Sequence, residues 1–89
     1  MIHSLPETTH EQDKEWVSDK LNTLTPTMRT RAVIGYDSVF NETLANTPIE
    51  HQKLNRARYA ANTRLRLFID RFHLASLGYT DKPPLHSQK

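Results

Sequence analysis

Apolar positions in this chain step by three and four residues, the spacing that lines up one face of an α-helix. Val17, Leu21, Leu24 and Met28 recur in this way, with Trp16 beside them. Met28, Ala32, Val33, Tyr36, Val39, Phe40 and Leu44 make a second, broader stripe. A third runs through Leu54, Ala57, Ala61, Leu65, Phe68, Phe72 and Ala75. The punctuation between the stripes agrees with helices. Thr25-Pro26 and Thr47-Pro48 each suit an N-cap followed by proline at the first helical position. Glu50, three residues after Thr47, completes a capping box, and Thr9 with Gln12, or Thr8 with Glu11, offers the same device upstream. Gly78 follows the third stripe as a C-cap. The chain has two glycines and no Asn-Gly or Asp-Gly pair, so nothing marks a β-hairpin.

These signals predict an all-α fold: one compact, antiparallel three-helix domain with a long third helix and loose termini. The helices are expected over about 9–24, 26–45 and 48–77, with a flexible tail over 79–89. A third helix of this length would run about 45 Å and outreach its partners. Asn62 and Thr63 are weak helix formers at its middle, which makes that point the place for a kink or break.

Composition narrows the chemistry. Eighty-nine residues make one domain, and 36% hydrophobic content leaves a narrow core with most faces wet. Cysteine is absent, which excludes disulfides, a thiolate nucleophile and cysteine-ligated zinc, and fits a reducing compartment. The stretch MIHSLPETTHEQ lacks an apolar signal core, and no apolar run approaches the ~18 residues that span a bilayer. The expected location is cytoplasmic, away from membranes. The net charge of +2 is unevenly spread, with acids concentrated in the first 24 residues and eight Lys or Arg after residue 47.

The densest basic stretch is RARYAANTRLRL, residues 56–67, which holds four arginines and no acid. Projected at 100° per residue, Leu54, Ala57, Ala61, Leu65, Phe68 and Phe72 share one arc, the expected core face. Lys53, Arg64 and Arg71 lie along its margin, with Arg56 further round. Ala60, Leu67 and Leu74 form a second, thinner apolar seam among them, while Arg58 and Arg66 point elsewhere. The arginines could be a solvated rim whose stems cover the core and whose heads pair with Glu11, Glu15 or Asp19. The leucine seam could cover the first helix. Alternatively the face docks a protein partner through Lys53, Arg56, Tyr59, Arg64, Leu67, Arg71 and Leu74, combining apolar anchors with the Arg and Tyr favoured at interface centres. A competing reading is nucleic acid, held by Arg29, Arg31, Lys53, Arg56, Arg64 and Arg71. Against it stand the small net charge, the acidic first helix and the lack of a helix-turn-helix pattern. Self-association through the Leu67–Leu74 ladder into a homodimer is the third reading.

Catalytic chemistry does not assemble. The five histidines are scattered, with no i, i+4 pair or HExxH pattern for a metal. Asp70 and His73 stand three apart, with no nucleophile or third ligand beside them. Gly-rich phosphate loops and a GxSxG elbow are absent. No enzyme activity, metal or cofactor is therefore expected. Gly35 interrupts a helical stripe, which signals a close approach by another backbone or a partner, or else a local bend or close packing against the third helix.

Small size, no cysteine, an acidic amphipathic first helix and the run NRARYAANTRLRLFIDRF together resemble the small accessory proteins of temperate phages and prophages. The resemblance covers about residues 9–72. It implies a partner that itself handles nucleic acid, such as a host nuclease or defence complex that the protein inhibits or modulates.

Overall fold

The computed structural model describes residues 5–76. A 3₁₀ turn at Glu11–Asp13 leads into α1 (Lys14–Leu21), followed by α2 (Pro26–Asn46) and α3 (Glu50–Ser76). The expected C-cap at Gly78, the last residue of the expected third helix and the 79–89 tail lie outside the described residues. Tyr36 reaches Asn62, while Met28 and Arg31 share a depression with Phe68, Phe72 and Ala75. Positions early in α2 therefore meet positions late in α3, so the two helices run antiparallel. They form the main packing pair, and α1 lies against one flank.

The start of α2 follows its expected chemistry: the Thr25 hydroxyl accepts from the Met28 N–H at 3.4 Å, with proline at the first turn. The other two capping boxes do not form. Thr47 instead ends α2, its hydroxyl donating to the Thr43 carbonyl at 2.8 Å, and α3 begins only at Glu50. Near the N-terminus His10 is the N-cap, accepting from the Gln12 N–H at 3.0 Å. Thr8 and Thr9 are occupied elsewhere, on Asp37 and on the Pro6 carbonyl. The first helical segment is accordingly shorter than the 9–24 expected. Its α-helical part stops at Leu21, where the Thr23 hydroxyl donates to the Lys20 carbonyl.

The core contains Val17 and Leu21 of α1, Leu24 of the connection that follows, Ala32, Tyr36 and Phe40 of α2, and Ala57, Ala61, Leu65 and Ile69 of α3. On α2 and α3 these positions step by four. Each step of four advances 40° round the axis, because an α-helix turns 3.6 residues per revolution. A seam built this way winds round α3 and leaves the fixed arc read from the sequence. That winding corrects two expectations. Leu54 is 44% exposed, and Ile69, absent from the expected face, is buried. Phe68 and Phe72 pack against the edge of the core, half-buried. No break occurs at Asn62, since α3 is continuous through it. The residue is held there by its side-chain bond to the Tyr36 hydroxyl.

Candidate functional site

Polar side chains fix which flank of the α2–α3 pair α1 occupies. The Arg58 guanidinium forks onto the Asp13 carboxylate, donating from Nε at 2.9 Å and Nη2 at 3.0 Å. A bidentate pair of this kind fixes orientation as well as proximity. Asp37 accepts from the Glu7 and Thr8 backbone N–H groups and from the Thr8 hydroxyl at 2.6 Å, which ties down the segment before α1. Arg29 donates to the Leu21 and Leu24 carbonyls at 3.1 and 2.9 Å. Near the start of α2 that cation opposes its own helix dipole, but it complements the C-terminal end of α1. Arg29 is thus engaged in holding the fold, unlike the nucleic-acid contact the sequence allowed.

This corner is electrostatically coupled. The Arg58 hydrogen bond holds the Asp13 carboxyl below its ordinary value of 3.8, against the opposing effect of burial. Burial, and then the negative charge of Asp13, push the Tyr36 phenol up to about 12. The two signs give opposite pH windows. Asp13 binds its proton less readily when folded, so its contribution is present above pH 3.8 and lost as pH falls through the lowered value. Tyr36 holds its proton more tightly when folded, so its contribution is present below pH 10 and lost as pH rises towards about 12. Spectroscopic titration of tyrosinate should show a tyrosine that ionises only near pH 12, and Asp13→Asn should move that step towards 10. An unmoved step would show that the Asp13 charge does not reach the phenol.

The opposite flank of α3 has no such cover. Leu67 and Leu74 are 55% and 51% exposed, so this seam does not cover α1. Two adjoining depressions lie on this side, the first on α3 alone and the second between α3 and α2. One, of about 330 Å³, is lined by Arg64, Leu67, Phe68 and Arg71. The other, about 230 Å³, shares Phe68 and Arg71 and adds Met28, Arg31, Phe72 and Ala75. The shared residues make them one groove with an apolar floor and arginine walls. Of the partner residues expected from sequence, Arg64, Leu67 and Arg71 come together here, with Leu74 one turn beyond. Arg56 is exposed further towards the N-terminus of α3, and Lys53 lies half-buried and pairs with Glu50 at 3.6 Å. Tyr59 is 74% exposed and lines neither depression.

Sequence reading did not assign Met28, Phe68 and Phe72 to a surface, because their apolar character placed them wholly in the core. Among the described residues, nothing outside its chain neighbours and its own helix backbone lies within 4 Å of where a Gly35 Cβ would stand, so close packing against α3 is not the reason for the glycine. It sits one turn along α2 from Arg31. Among the described residues no three His, Cys, Asp or Glu side chains gather into a metal site, and no helix is long and apolar enough to cross a membrane. Compared with protein families, curated proteins and solved structures, the chain matches none of them.

Proposed function

We propose that the protein is a non-enzymatic helical binding module that docks on a protein partner through the Leu67–Leu74 flank of α3. The observation that carries this reading is the exposure of both leucines beside an arginine-walled groove, on a flank that α1 does not cover. Apolar anchors framed by arginine are the composition favoured at interface centres. The resemblance to phage accessory proteins adds that the partner is a nucleic-acid-processing or defence complex whose activity the docking modulates. Direct binding of nucleic acid is the second reading. It is weakened by the use of Arg29 inside the fold and by the apolar floor, which phosphates do not need.

Leu67→Ser with Leu74→Ser should leave folding nearly intact, since both side chains are half in water, and abolish capture of the partner from a nuclease-treated cytosolic extract. Unfolding of that variant would place the leucines in the core and remove the reading. Salt separates the two ligands. Phosphate contacts by Lys53, Arg56, Arg64 and Arg71 would give duplex affinity a log–log salt slope of roughly −3 to −4. A protein interface should show salt acting mainly on the association rate. A steep slope on random duplex at sub-micromolar affinity would decide for nucleic acid.

A further inference from the structure

We infer that a second copy of this chain packs on the outward face of α2, so that the protein forms a weak antiparallel dimer, independently of any docking on α3. Ile34 marks the face. It is 63% exposed and, among the described residues, the one large apolar side chain of α2 that stands mostly in water. Ser38, also exposed, is 200° round the helix from the buried Tyr36, so this side points away from α3. Asp37, which holds the N-terminal segment, is 100° round from Ser38, and the segment therefore leaves the face open.

Charge names the occupant. α2 carries four charged side chains, and two of them work inside the fold: Arg29 on the Leu21 and Leu24 carbonyls, Asp37 on Thr8. The other two, Arg31 at the rim of the second depression and Glu42, are exposed and join no ion pair among the described residues. They are eleven residues apart, three turns to within about 20°, so both stand on one line about 16.5 Å long. Two copies of α2 laid antiparallel, with a twofold axis at the level of residues 36 and 37, set Arg31 of each against Glu42 of the other. The same register brings Gly35 of one copy opposite Ser38 of the other, with Ile34 packed beside them. Nothing among the described residues, beyond its neighbours and its own helix backbone, lies within 4 Å of a Gly35 Cβ, and the bare Cα lets a second backbone come close. Other occupants fit less well. A parallel pair would set Arg31 against Arg31, and nucleic acid would be repelled by Glu42 and find no use for Ile34. A foreign helix would have to supply acid and base at that one spacing, whereas a second copy brings both. One helix on one helix falls below the ~1,200–2,000 Å² of stable interfaces, so the dimer forms at about 0.1 mM. It leaves Leu67 and Leu74 uncovered, because α3 lies on the far side of α2.

The test is sedimentation of the full chain from about 10 µM to 1 mM, with amide chemical shifts followed over the same range. Mass should rise towards that of a dimer, and the shifts should concentrate at residues 31–42. Ile34→Ser should weaken self-association at least about tenfold. Gly35→Leu should do the same with thermal stability unchanged or raised, since leucine is the better helix former. Arg31→Glu alone and Glu42→Arg alone should each stay monomeric, because each sets like charges at both ends of the contact. Mixed in equal amounts, those two variants should pair with one another, which also shows that both are folded. The chain carrying both changes should dimerise like the unaltered one. A protein that remains monomeric to about 1 mM, single variants that still self-associate, or a mixture that does not pair would overturn the inference. So would a dimer that survives Ile34→Ser and is lost in Leu67→Ser with Leu74→Ser, since that places the contact on α3.

Discussion

Phe40→Ala should destabilise the protein by about 3–5 kcal/mol, measured by denaturant or thermal unfolding. Phe40 is only 4% exposed and stacks on Tyr36, with ring centroids 6.4 Å apart, within the α2–α3 core. Removing the ring forfeits its transfer energy and leaves a void, because helix backbones on both sides cannot collapse into it. Domains of this size are stable by roughly 5–15 kcal/mol in total, so the variant should melt more than ten degrees lower. Phe68→Ala should cost about 1–2 kcal/mol, since that ring is half-buried at the core edge and already meets water along the groove. Equal losses at the two positions would mean that the groove is closed in solution.

Leu65→Ala should cost about 2–5 kcal/mol, and Leu67→Ala, only two residues along the same helix, about 0.5 kcal/mol or less. Leu65 is 2% exposed within the seam of four-residue steps, and Leu67 is 55% exposed on the outer flank. Two residues advance a helix by 200°, so neighbouring leucines of identical chemistry fall on opposite sides of the energy balance. The pair can be measured under one set of denaturant conditions. Comparable losses would refute the winding of the core seam round α3.

The helices were legible because apolar spacing reports directly on which side of a helix is dry. The Thr25-Pro26 start was legible for a local reason: its hydroxyl and its proline act within one turn. The Thr47 box was misread because a threonine hydroxyl can also turn back to the carbonyl four residues earlier, and sequence does not show which bond wins. The exchange of Leu54 for Ile69 has a geometric cause. A projection assumes that the buried stripe runs parallel to the axis, whereas helices packed on i, i+4 ridges carry it round. The Leu67–Leu74 seam could be recognised as surplus to one core, yet its exposure depended on which flank α1 chose. That choice rests on Asp13 meeting Arg58 across 45 residues and on Asp37 reaching Thr8 across 29, pairings that no local pattern announces. Arg58 was among the arginines set aside as pointing elsewhere, and it carries the ion pair.

Those long-range polar ties set a ceiling on what damage to the N-terminal segment can do. α1 buries few side chains, chiefly Val17 and Leu21, and the N-terminal segment is otherwise fastened by Arg29 at the end of α1 and by Asp37 and Arg58 on the residues before it. A substitution in α1 can therefore cost no more than its docking is worth. Beyond that point the segment lets go as a unit, and the α2–α3 hairpin, which owns most of the contacts, bears no further loss. Amide hydrogens of residues 14–21 would then exchange through this partial opening, ahead of those at Tyr36, Ala61 and Leu65.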